Sequence, residues 1–278
     1  MQKSVGAAVR PGMSCETMAE AIVKASAGDS PGHHTRAQTQ ALKDVLTALA
    51  EESSRPITLD PALRLPLAQA LADYAPDLHQ MISGIAAADF VTQAAPKTPP
   101  WESGGTHHLS VLTDTLRDVL RAIAENPRAY ALLRAAETRT TAQRLVGVPA
   151  DATGHSLSVP PTEGARALAV LDGIADAVTH DRDKTQAQEW RATVLDTLLD
   201  EQASPKSDQD PLAARLTGAW LQNLKEASEE ERFDRLRTQG VDMTRTWSQD
   251  RKMDEQTRQE LLAKVERSAL SAYREIKP

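Results

Sequence analysis

The stretch Leu109-Ser110-Val111-Leu112-Thr113-Asp114-Thr115-Leu116-Arg117-Asp118-Val119-Leu120-Arg121-Ala122-Ile123-Ala124-Glu125-Asn126-Pro127-Arg128-Ala129-Tyr130-Ala131-Leu132-Leu133 sets the reading of the whole chain. Leu109, Leu112, Leu116, Val119, Leu120 and Ile123 recur three and four residues apart, which puts them on one helix face, with Asp114, Arg117, Asp118 and Arg121 opposite. Asn126-Pro127 then stops one helix and starts another. The Asn side chain can accept from a free first-turn N–H, and a proline at the first helical position gives up a donor that has no intrahelical acceptor. Tyr130, Leu133, Ala136, Ala142 and Leu145 carry the apolar spacing onward. So short a connection predicts adjacent helices forming a helical hairpin.

The same start signal recurs at Asp60-Pro61 and Asp210-Pro211, and Thr35 with Gln38 forms a capping-box pattern ahead of Leu42, Val45, Leu46 and Leu49. Read this way, the chain predicts helices near 14–27, 35–53, 61–83, 107–125, 127–146, 162–180, 185–203, 211–228, 229–249 and 254–276. Pro66 and Pro76 fall inside the third span, so that helix should be kinked or divided. Two Pro- and Gly-rich stretches, Ala95 to Gly105 and Val148 to Pro161, read as long loops. Composition agrees: 44 of 278 residues are Ala and 30 are Leu, while aromatics make up 3%, so helix formers far outnumber strand formers. The expectation is an all-α bundle of about nine or ten helices with no substantial sheet.

Charge divides the chain. Residues 181–278 hold 37 charged side chains in 98 positions, against 34 in the first 180. Narrow apolar stripes among mixed charges there suit a solvated hairpin or small bundle, giving domains at 1–180 and 181–278, or one continuous domain with a well-solvated end. A formal net charge of -7 and a pI near 5.6 argue against a general nucleic-acid binder. No apolar run reaches the length of a membrane span, and Met1-Gln2-Lys3-Ser4 lacks the apolar core of a secretory signal. Cys15 is the single cysteine, which excludes an intramolecular disulfide framework and fits either a reducing compartment or a protein that needs no staples. The localisation expected is cytoplasmic, with leaderless export as an open alternative.

No motif for chemistry survives inspection. His33-His34 and His107-His108 are adjacent pairs whose side chains would point about 100° apart on a helix, and His79, His155 and His180 are scattered, so no zinc spacing emerges. Gly154-His155-Ser156-Leu157-Ser158 lacks the final glycine of a nucleophile elbow. Asp181-Arg182-Asp183-Lys184-Thr185 opens like a calcium loop but has Gln186 and Ala192 where Gly and Glu are needed. Phosphate-cradling glycine loops are missing. Glu229-Glu230-Glu231 reads as a helix start favoured by the helix dipole. Catalytic, cofactor and metal residues are therefore expected to be none. Trp190 and Trp220 read as core anchors. Trp101, in the proline-rich loop, and Trp247 with Arg245, among polar neighbours, are the candidate partner contacts, because aromatic and Arg side chains dominate interface hot spots.

The middle of the chain, about residues 60–180, resembles actinobacterial all-helical proteins of unknown function associated with WXG-type modules and type VII secretion. The carrying residues are Leu71-Ala72-Asp73-Tyr74-Ala75-Pro76-Asp77-Leu78-His79, Leu112 through Leu120, Glu125-Asn126-Pro127-Arg128-Ala129-Tyr130-Ala131-Leu132-Leu133-Arg134-Ala135-Ala136, and Val170-Leu171-Asp172-Gly173-Ile174. The resemblance implies an all-helical, non-enzymatic module with no catalytic residues. It lacks that group's front end: Trp101 is followed by Glu102-Ser103 and not by a Trp-x-Gly turn, and Tyr74, Tyr130 and Tyr273 have no acidic residue four positions later.

The function expected is a helical interaction or scaffold module with a protein partner, accessory to a type VII-like secretion or toxin system, with homo-oligomers as a further option. Two alternatives stay open: an enzyme with a dispersed site that includes His107, His108 and His79, and an antitoxin or immunity partner whose acidic C-terminal third covers a basic enzyme surface.

Overall fold

The computed structural model describes residues 14–27, 32–52, 56–85, 88–203 and 210–276. The start Met1-Gln2-Lys3-Ser4, and Ser53 at the end of the second predicted helix, lie outside them. Among the described residues the fold is all-α, with twelve helices and one short hairpin. The helices are α1 (Cys15–Ser26), α2 (Arg36–Glu52), α3 (Pro61–Asp73), α4 (Ala75–Ile82), α5 (Ala88–Thr92), α6 (Thr113–Ala124), α7 (Pro127–Val146), α8 (Gly154–His180), α9 (Lys184–Ala203), α10 (Pro211–Glu226), α11 (Glu229–Asp250) and α12 (Glu255–Ile276). The hairpin strands are β1 (Trp101–Ser103) and β2 (Thr106–His108), between α5 and α6. No helix among the described residues is long and apolar enough to cross a membrane.

The expected caps form. The Asp60 carboxylate accepts from the Ala62 N–H at 2.9 Å, Asn126 accepts from Arg128 and Ala129 at 3.0 and 3.2 Å, and Asp210 accepts from Leu212 and Ala213 at 2.7 and 3.2 Å. Thr35 and Gln38 cap each other reciprocally, with the Thr35 N–H donating to Gln38 Oε1 at 2.8 Å and the Gln38 N–H to Thr35 Oγ1 at 3.3 Å. Pro76 divides the third predicted helix into α3 and α4, while Pro66 stays inside α3.

Three expectations are corrected. The stretch read as a long loop, Ala95 to Gly105, holds strand β1 and the hairpin turn, with α5 ahead of it and β2 just after it, and helix α6 begins at Thr113 and not near 107. Gly104 and Gly105 both have positive φ, +60° and +79°, the backbone of a two-residue turn whose twist matches antiparallel strands, so Trp101, Glu102 and Ser103 pair with His108, His107 and Thr106. Leu112 therefore leaves the buried stripe and is 50% exposed. The second long loop is shorter than expected, because α8 already starts at Gly154 and runs through Pro160 and Pro161. Tertiary packing outweighs the local cost of the prolines there, since the helix is buried from Pro161 onward; Lys264 of α12 also donates to Ser158 Oγ at 2.9 Å, and Arg251 holds the chain ahead of the helix through the carbonyls of Val148, Pro149 and Ala150 at 2.9, 2.6 and 3.0 Å.

The chain forms two compact units, 1–133 and 134–278. In the first, α1 packs on α2 and α3, and α6 lays the apolar face formed by Leu116, Val119, Leu120 and Ile123 against α2, α3 and α4. In the second, α8 is the central helix, about 40 Å long at the usual rise per residue. It is buried on nearly all sides from Pro161 to Thr179, with α12, α11 and α9 packed around it. The charge step near His180 falls between α8 and α9, within this unit.

Candidate functional site

In the first unit, the β-hairpin is tied to the segment joining α3 to α4. The His34 ring meets Asp73 (Nε2 to Oδ2, 3.0 Å) and stacks on Tyr74 with centroids 3.6 Å apart. The His34 N–H donates to Thr106 Oγ1 at 2.8 Å, and the His107 N–H donates to the His34 carbonyl at 2.9 Å. Tyr74 is fully buried and donates to the Ser26 carbonyl at 2.9 Å, and burial pushes its phenol up to about 12. One residue past the hairpin, the Leu109 N–H donates to Asp77 Oδ2 at 2.7 Å, while Asp77 Oδ1 takes His108 Nδ1 at 2.8 Å.

His108 pins the hairpin to α4. Nδ1 faces the Asp77 carboxylate, Nε2 faces the Ser103 carbonyl at 3.3 Å, and the ring stacks on Trp101 at 5.2 Å, so both nitrogens meet acceptors and the imidazolium satisfies both. The hydrogen bond to Asp77 holds its pKa above the ordinary histidine value, against the opposing effect of burial. A general base needs an available lone pair, which this surrounding disfavours. His107 enters the hairpin through its backbone, and His79 is fully buried on α4. The two histidine–carboxylate pairs thus use separate acids.

The pin sets a pH dependence. A histidine with a raised folded pKa stabilises the native state most below its unfolded value, and that contribution is lost as pH rises through the folded value. The urea midpoint of the first unit should therefore fall more from pH 6 upward in the wild type than in His108→Gln. Parallel pH curves for the two proteins would refute the pin. Asp77 is the carboxylate facing the ring, and Trp101 and Phe90 are its aromatic neighbours, Phe90 lying edge-on to both.

The predicted partner contacts end up in different settings. Trp101 is half-buried, stacked on His108 and edge-on to Phe90 at 4.8 Å. Trp247 is only 1% exposed and lies under the Arg251 guanidinium, 5.1 Å from its ring centroid, so its indole belongs to the core and is not presented to a partner. Trp190 and Trp220 are core anchors, as expected. Arg245 is exposed and lines an open groove of about 510 Å³ in the second unit.

This groove is built by three helices. Ala169 and Asp172 of α8 form its floor; Arg235, Thr238, Asp242 and Arg245 of α11 form one wall, with Val241 beside them; Glu266, Ala269, Leu270 and Tyr273 of α12 form the other. Of the five polar α11 residues that line it, Arg235, Thr238, Asp242 and Arg245 are spaced three, four and three apart, one stripe along the helix, and Arg237 lies beside them. That stripe extends about 15 Å, between two and three turns. Leu270 is 45% exposed, one of the few large apolar side chains so exposed among the described residues.

The electrostatics of the groove sort its charges into tied and available groups. Arg134, fully buried below it, donates to Asp172 Oδ1 at 2.5 Å, to the Leu236 carbonyl at 2.6 Å and to Gln239 Oε1 at 3.1 Å. Burial pushes the Asp172 carboxyl up, with Arg134 pulling against it. Arg237 holds Asp176 at 2.8 and 3.1 Å, and Tyr273 donates to the same carboxylate. Burial and then Asp176 raise the Tyr273 phenol to about 12. Burial opposes the Arg237 charge, but Asp176 lifts its pKa above the ordinary value. Arg245 pairs with Asp242 on its own helix. Arg235 and Glu266, both exposed, have no ion pair among the described residues, so each wall carries one available charge, of opposite sign.

Of the candidate partner contacts, Arg245 alone lines the groove; the other lining residues are not singled out by the sequence. Arg235, Thr238 and Asp242 of α11 and Glu266 of α12 look like any solvated helix face; the only signal is the shared spacing of the first three on one side of α11. No family model, curated protein or solved structure matches the chain.

Proposed function

We propose that the protein is a non-enzymatic helical interaction module that seats a helical segment of a partner protein in the α8–α11–α12 groove. The observation that carries this reading is the groove itself: apolar positions Val241, Ala269 and Leu270 line it beside the polar and charged residues of its walls, along an α11 stripe of two to three helical turns. An apolar strip with a charged rim matches an amphipathic helix, whose hydrophobic stripe buries while its edges stay solvated. The resemblance to type VII-associated proteins supplies the pathway part of the proposal, a partner belonging to such a secretion or toxin system.

The test is site-specific photo-cross-linking in the native cell. A photoreactive residue at Leu270 is expected to give an adduct that maps to one helical segment of one protein. A secretion or toxin component at that position would support the pathway. An adduct yield no higher than that from Gln256, exposed elsewhere on α12, would overturn the groove reading.

A further inference from the structure

The groove's two available charges say more about its occupant than its shape does. The α11 wall presents Arg235, and the α12 wall presents Glu266. The remaining charges around the groove are matched: Arg245 with Asp242, Arg237 with Asp176, and Asp172 with Arg134. A polyanion such as a nucleic acid would meet Glu266, Asp242 and Asp176 as well as the arginines. A uniformly acidic or uniformly basic helix would satisfy one wall and be repelled by the other.

We infer that the groove selects an amphipathic helix carrying opposite charges on its two edges, with an acidic edge against Arg235 and a basic edge against Glu266, and that this pairing fixes the direction in which the partner helix lies. The inference rests on the interaction reading above and deepens it. A helix has a direction, so turning it end for end exchanges its two edges. The apolar strip of Ala169, Val241, Ala269 and Leu270 tolerates either orientation, and the charges choose between them. Exposed ion pairs of this kind are individually weak, so two of them together give about a three- to tenfold preference that salt diminishes.

The probes are three lactam-stapled helical peptides of about fifteen residues, since shorter or unstapled helices are marginal in water. They share one leucine stripe and differ in their edges: Glu on one and Lys on the other, Glu on both, or Lys on both. Fluorescence anisotropy with the full chain is expected to rank the mixed-edge peptide first by about three- to tenfold. Arg235→Glu, which makes both walls acidic, should move first place to the Lys peptide. Glu266→Lys, which makes both walls basic, should move it to the Glu peptide. An unchanged ranking in both variants, with all binding abolished by Leu270→Glu, would overturn the charge selection and leave the groove reading standing. Binding of all three peptides unaffected by Leu270→Glu would overturn both. Circular dichroism and urea midpoints matching the wild type verify that the surface variants fold.

Discussion

Arg134→Met is expected to destabilise the second unit by about 3–5 kcal/mol, the cost of leaving one partner of a buried ion pair unmatched. The guanidinium is fully buried and bridges three helices, bonding Asp172 of α8 and both Leu236 and Gln239 of α11 from its own position on α7. Without it, Asp172, 4% exposed, must be protonated or stay charged in an apolar setting, and the Leu236 carbonyl and Gln239 amide oxygen lose a strong donor. Gln239 keeps its own donation to Thr138 Oγ1 at 2.8 Å, so the network is damaged and not erased. The readout is urea unfolding followed by tryptophan emission, since Trp190, Trp220 and Trp247 all lie in this unit. A double variant, Arg134→Met with Asp172→Leu, should recover most of the loss, because apolar replacement of both charges removes the desolvation cost together with the attraction. A single-variant loss below about 1 kcal/mol would mean that water reaches the Asp172 carboxylate.

The same network explains why much of the fold is legible in the sequence and the groove is not. Caps are local: Asp60, Asn126 and Asp210 need only an oxygen two or three residues ahead of an N–H, and Pro76 breaks a helix wherever the chain then goes. Arg134 and Asp172 are 38 residues apart, and nothing local separates them from charges that end in water. The hairpin was missed for a different reason. Gly104-Gly105 is itself a turn signal, but strands of three residues are too short to show alternation, and Leu109 already belongs to a helical spacing. Helix α8 reverses that case, as Pro160 and Pro161 look like punctuation yet lie inside a helix that tertiary packing buries from Pro161 onward. The groove needs two helices, α11 and α12, set side by side over a third. Arg235 and Glu266 acquire meaning only once that packing exists.

Gly240→Ala is the second large effect expected, a net loss of about 1–3 kcal/mol although alanine is the better helix former by about 1 kcal/mol. A Cβ built at Gly240 would lie 2.6 Å from Ala165 Cα and 2.9 Å from Ala165 Cβ, so the atoms it meets include the backbone of α8. A flexible side chain can swing aside, but two packed helices must separate. Gly164 is a milder case, since its added Cβ would meet only the Thr141 side chain, at 2.5 Å from Cγ2 and 3.0 Å from Oγ1. Gly218, exposed on α10, has nothing within 4 Å of an added Cβ, so Gly218→Ala should stabilise the unit by about 0.5–1 kcal/mol through helix propensity alone. The two substitutions make the same chemical change in helix interiors of one unit and should move the urea midpoint in opposite directions. If Gly240→Ala also raised it, α8 and α11 would not be in the contact that forms one side of the groove. The separation caused by Gly240→Ala should also weaken the mixed-edge peptide more than Gly218→Ala does, because Val241 and Thr238 move with α11. That ties the stability of the crossing to the geometry of the binding surface.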